Sequence, residues 1–178
     1  MTKRSLLVRL ALPVAVLGAL AGCSPNPGVA VELDGVRVSE STVGGYAKGC
    51  TQVLDEMGLS SRFTDGDVRR NVVSWTASGL IADQLATRYG VTIKDSDKRE
   101  ALASLQNGPQ FAENSVCGEA LDGRLKLLAL ALEHDSAQVS KDAAAAPVVV
   151  NPRYGTWSGT DQLVNGTGSL SSPGTSGS

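Results

Sequence analysis

Apolar residues change their spacing several times along this chain, and each spacing predicts a different element. Val29-Ala30-Val31-Glu32-Leu33 and Val36-Arg37-Val38 are short β-prone runs separated by Asp34-Gly35. Asp-Gly between such runs signals a hairpin, because the tight turn needs positive φ and glycine adopts it without a clash. Ser39 then supplies a helix N-cap. From about Glu40 to Met57, the residues Val43, Tyr46, Ala47, Cys50, Val53, Leu54 and Met57 recur three and four apart, the stripe of one helical face. Gly44, Gly45 and Gly49 each weaken that helix by about 1 kcal/mol relative to alanine. Packing must therefore hold it, and Gly58 is its stop.

A second stripe, Val68, Val72, Trp75, Gly79, Ala82, Ala86 and Tyr89, predicts a helix capped by Thr64 or Asp65 and closed by Gly90. Val91-Thr92-Ile93 is a short extended link. A third helix, capped by Ser96 or Asp95, runs to about Gln106 with Ala101, Leu102 and Leu105 inward, and Asn107-Gly108-Pro109 breaks it. The last helical region ends in Ala120 to Leu132. Leu121, Leu125, Leu128 and Leu132 form one stripe, and Leu127 and Leu130 lie off it. A helix apolar on more than one side is buried on both or exposes an adhesive face. Val148-Val149-Val150 reads as a short strand after Pro147. From Ser158 onward Gly, Ser and Thr dominate, so residues 158–178 are expected to be disordered.

The fold class expected from this pattern is mainly α: about four helices, a short β-hairpin and a returning C-terminal strand. The chain has 178 residues, 42% hydrophobic and 19% charged. Residues 29–157 are enough for one hydrophobic core.

The first 22 residues read as an export signal, not as part of the fold. Lys3 and Arg4 form a positive start, Leu10 to Leu20 run uncharged, and the small Ala21 and Gly22 follow. The apolar run is short for a membrane span. Lys3, Arg4 and Arg9 are the only charged residues before Cys23, so removing this segment takes the formal charge from −2 to −5. A mildly acidic chain without a basic cluster speaks against nucleic-acid binding and against polybasic membrane attachment.

Leu20-Ala21-Gly22-Cys23 resembles the lipobox of bacterial lipoproteins. The resemblance implies that the Cys23 thiol accepts a diacylglycerol, that fatty acids such as palmitate anchor the protein, and that cleavage makes Cys23 the new N-terminus. Two acyl chains anchor stably where one does not. The competing reading is an ordinary signal peptide followed by an unmodified cysteine. Residues 23–28, Cys-Ser-Pro-Asn-Pro-Gly, then form an extended tether between lipid and domain.

Cys50 and Cys117 remain. Export places them in an oxidising compartment, where a disulfide would stabilise the domain by roughly 4 kcal/mol through loop closure. The alternative is two buried free thiols packing as small hydrophobes. One histidine, His134, at the end of a helix, and no close Cys/His spacing leave no metal-site pattern. Asp65-Gly66-Asp67 and Asp95-Ser96-Asp97 fall at helix starts, where acids suit the free amides and the dipole. The sequence carries no phosphate loop or nucleophile triad and calls for no cofactor.

The opening strand, Asp-Gly turn, strand, serine and helix from Val29 to Val43 resemble the N-terminal domain of SurA-type and PrsA-type extracytoplasmic chaperones. So does Tyr89-Gly90-Val91-Thr92-Ile93-Lys94-Asp95-Ser96 before the third helix. The ending Val150-Asn151-Pro152-Arg153-Tyr154-Gly155-Thr156-Trp157 resembles the close of SurA-like lipoproteins in actinobacteria. The resemblance implies a returning strand that completes a small sheet, and binding of unfolded or exported proteins on the outer face of the cell membrane. Many relatives insert a prolyl-isomerase domain before the closing strand. Residues 106–146 are too few for one, so isomerase activity is not expected and the chain does not read as an enzyme. The residues expected to grip clients are Leu127, Leu130, Tyr154 and Trp157, although Tyr154 and Trp157 also fit as cover for the core edge. A structural or adaptor lipoprotein with one dedicated envelope partner is the alternative function.

Overall fold

The computed structural model describes residues 27–166 and 169–171. Strands β1 (Val29–Leu33) and β2 (Val36–Ser39) pair antiparallel about the Asp34-Gly35 turn. Both turn residues have positive φ, 48° and 83°. Strand β3 (Val149–Val150) returns to the other edge of β1, setting Val31 opposite Val150 and Glu32 opposite Val149. Cross-strand partners share a face. Val31, Val38 and Val150 therefore face the helices together, and the opposite face carries the Glu32–Arg37 ion pair at 2.8 Å.

The fold is mainly helical, as the spacing implied, with two more helices than expected. The six are α1 (Glu40–Glu56), α2 (Asp65–Tyr89), α3 (Asp95–Ser104), α4 (Gly108–Glu113), α5 (Ser115–Glu133) and α6 (Ser136–Ala144). Ser39 caps α1 by accepting the Thr42 N–H at 3.1 Å. Thr64 and Asp67 close a reciprocal capping box on α2, and Gly90 ends that helix in the left-handed conformation. The cap expected on α3 is corrected. Lys94 holds the N-cap position without a side-chain bond, and Asp95 instead pairs with Lys98 at 3.0 Å in the first turn. Gly108-Pro109 breaks α3 but opens α4, since proline is suited to the first turn of a helix. Asp135 caps α6 through the Ala137 and Gln138 amides.

Helix α5 lies at the centre. Its Leu121 and Leu125 pack with Ala101 of α3, and its Leu127 and Leu130 pack with Ile81 and Leu85 of α2 and Val139 of α6. Cys117 and Ala120 enter the main core with α1 and α2. The two-sided apolar pattern therefore marks burial on both sides as far as Leu130, while Leu132 at the end of the stripe is 53% exposed. Where α2 crosses α5, Gly79 meets Gly123 and the backbones touch; a β-carbon on Gly123 would lie 2.3 Å from the Trp75 carbonyl oxygen.

The expectation of a free tail from Ser158 is corrected for the residues described. Strands β4 (Thr156–Ser158) and β5 (Leu163–Asn165) form a hairpin against α2. Val164 is buried, and its N–H donates to Ser74 Oγ at 2.9 Å. One buried valine is enough because α2 supplies a ready surface and a hydroxyl acceptor. The part of that expectation at 167–168 and 172–178 lies outside the described residues, as do the signal segment and Cys23.

Candidate functional site

Three of the four residues expected to grip clients are buried. Leu127 and Leu130 are buried among the α2 and α6 side chains. Tyr154 has no exposed surface, and its hydroxyl donates to Glu40 Oε2. Burial, then the Glu40 carboxylate, pushes that phenol well above its usual range. Arg153 lies over the Tyr154 ring at 5.8 Å and 3.6 Å from the same carboxylate. Trp157 is half-buried and packs against two parts of the core. Leu127, Leu130 and Tyr154 are closed off inside the domain, whereas Trp157 keeps part of its surface exposed. The returning chain needs them there to close the sheet and the α2–α5–α6 interface.

Cys50 and Cys117 are bonded, with Cα atoms 4.8 Å apart, and join α1 to α5. Both are almost wholly buried. His134 caps the end of α5 and stacks on Tyr89 with ring centroids 4.2 Å apart. Among the described residues no group of three or more His, Cys, Asp or Glu is placed to hold a metal ion. No helix there is long and apolar enough to cross a membrane.

A different set of residues encloses a mostly apolar concavity. Helix α1 ends at Glu56, and the chain turns through a single 3-10 turn at Ser60–Arg62 before α2 begins. Leu59 before that turn, Phe63 after it and Phe111 of α4 come together beside α1 and α2. The result is a cavity of about 250 Å³. Its floor is Cys50, Leu54, Val68 and Val72. Trp75 and Phe111 form one wall, in edge-to-face contact at 6.1 Å and 73°. Leu59 and Phe63 stand at the mouth, and Phe63 is 42% exposed.

The rim is made of three side-chain amides, Asn71, Gln106 and Asn107. None of the three amides hydrogen-bonds to another described residue. No lining residue is charged. The lining offers apolar contact and hydrogen bonds. It holds no group that titrates near neutral pH, because Cys50 is locked in the disulfide.

A wider cleft of about 480 Å³ lies between the end of α2, the link after Gly90 and α5, but its charges satisfy one another. Lys126 pairs with Asp83 at 3.1 Å and Lys98 with Asp122 at 3.0 Å. A charged ligand there would have to break existing pairs.

Sequence reasoning passed over the cavity because its floor residues read only as core stripe and its remaining residues come from stretches without periodicity. Phe63 lies in the link before α2, Gln106-Asn107 is the break after α3, and Phe111 lies in a helix too short to show a stripe. The one usable signal was Trp75 on the α2 stripe. The chain matches no family model, no curated protein and no solved structure.

Proposed function

We propose that this protein is an extracytoplasmic lipoprotein, anchored through Cys23, that holds apolar segments of exported polypeptides without altering them chemically. The observation that carries the reading is the uncharged cavity between α1, α2 and α4 with three amides at its mouth that bond to no other described residue. Apolar pockets with a few convergent polar groups are the usual form of a binding site. Anchoring rests on Leu20-Ala21-Gly22-Cys23 after an uncharged run. The buried Cys50–Cys117 bond suits an oxidising compartment. The likeness of Val29–Val43 to SurA-type chaperones points the same way.

One feature favours the adaptor alternative: the cavity is a single compact pocket, not a long groove, which suits one dedicated envelope partner. The deciding experiment uses the mature protein in nanodiscs, with empty discs as control. Suppressed aggregation of a denatured model protein without accelerated prolyl isomerisation is expected, with micromolar affinity, about −8 kcal/mol. No suppression at large molar excess would favour the adaptor. Labelling with a radioactive fatty acid should mark the wild type and not Cys23→Ala; equal labelling would rule out Cys23 as the acceptor.

A further inference from the structure

We infer that the cavity between α1, α2 and α4 is an anchor pocket for one aromatic side chain of an uncharged polypeptide segment, whose neighbouring peptide groups are taken by Asn71, Gln106 and Asn107. This rests on the polypeptide-binding reading above and narrows it to a substrate class.

Size is the first argument. At about 250 Å³ the cavity falls below the roughly 300–1,000 Å³ of pockets that enclose a whole small ligand. It takes one side chain and leaves the attached backbone at the rim. The rim is suited to backbone: each amide offers a donor and an acceptor, the complement of a peptide C=O and N–H.

The aromatic preference follows from the walls. Both phenylalanines of the chain and one of its two tryptophans line this one cavity. Trp75 and Phe111 already meet edge to face. A third ring entering beside them gains the same quadrupole contacts, which an aliphatic side chain lacks.

Charge complementarity excludes the other classes. The chain is 19% charged, yet no lining residue is. A carboxylate or ammonium entering would lose its water and find no counter-charge.

The test is calorimetric titration of N-acetylated, C-amidated Gly-Ser-X-Ser-Gly peptides into the mature protein in nanodiscs. With X as Phe, binding should be threefold to tenfold tighter than with Leu. With X as Glu or Lys, no binding should be seen. Asn71→Ala and Gln106→Ala change exposed side chains and spare the core, so the fold survives. Each should weaken the Phe peptide at least twofold. Equal affinity for Phe and Leu, or no effect of either amide variant, overturns the assignment. Displacement of the Phe peptide by decanoate at equal concentration also overturns it, since the pocket would then be a lipid site. Aggregation suppression that persists without any peptide preference sinks this inference and leaves the broader reading standing. A clear Phe preference without aggregation suppression does the reverse.

Discussion

Gly79 and Gly123 bring α2 and α5 into direct backbone contact: a β-carbon built on Gly79 would lie 2.9 Å from the Gly123 Cα. The crossing leaves no room for a side chain, and α5 can be central only because both positions lack one. Gly123→Ala should therefore destabilise the fold by about 1–3 kcal/mol by overpacking, despite the roughly 1 kcal/mol that alanine contributes in helix propensity. Gly45→Ala in α1 meets nothing within 4 Å and should stabilise by up to about 1 kcal/mol. Urea unfolding with unchanged slope measures both. Equal signs for the two substitutions would refute the close-contact account.

The Cys50–Cys117 bond closes a separation of 67 residues between α1 and α5. Replacing both cysteines by alanine should lower stability by roughly 4 kcal/mol on the chain-entropy model. Both residues are at most 2% exposed. Dithiothreitol should therefore reduce the bond slowly in buffer and quickly in urea, as followed by alkylation and mass spectrometry. Rapid reduction in buffer would mean that the sulfurs are reachable in the native state.

Truncation after Trp157 tests the C-terminal hairpin. It removes buried Val164 and the N–H that donates to Ser74 Oγ. The expected loss is about 2–3 kcal/mol, mostly from the valine burial, together with faster hydrogen exchange along α2. A free tail would leave both unchanged.

Stability should fall at both ends of the pH range. Hydrogen bonds from Thr64, with a further contribution from Arg70, hold the Asp67 carboxyl below its ordinary value of 3.8. Hydrogen bonds from Tyr89 and Gln138 do the same for Asp142. Folded values below the unfolded ones stabilise the protein above pH 3.8, and that contribution is lost as pH falls through the folded values. Burial, then the bond to Asp142, pushes the Tyr89 phenol up to about 12. Its contribution is complete below pH 10 and is lost as pH rises towards 12. Urea unfolding at a series of pH values should show both limbs. Asp67→Asn should flatten the acid limb and Tyr89→Phe the alkaline one; limbs unmoved by these changes would assign the dependence to other groups.

Local chemistry made the opening of the fold legible. Asp34-Gly35 admits the positive φ a tight hairpin requires, Ser39 and Thr64 supply caps, and the stripes of α1 and α2 follow the helical period. These signals act over a few residues, and nothing distant overrides them. The two-sided apolar pattern of α5 was equally visible, but a pattern says only that a face avoids water. It leaves open whether another helix or a client covers that face.

The sequence by itself determined the opening hairpin and its turn, the Ser39 and Thr64 caps, and the apolar faces of α1, α2 and α5, because each is a property of neighbouring residues. Tertiary structure alone decided the rest. Burial of Leu127, Leu130 and Tyr154 came from the partners that α2, α6 and Glu40 happened to offer. The ordering of Leu163–Asn165 came from Ser74 and the surface of α2. Phe63, Trp75, Gln106 and Phe111 meet around one cavity only after α1, α2 and α4 have packed. Such contacts join residues far apart along the chain, and their free energy depends on what stands opposite, which no local spacing records.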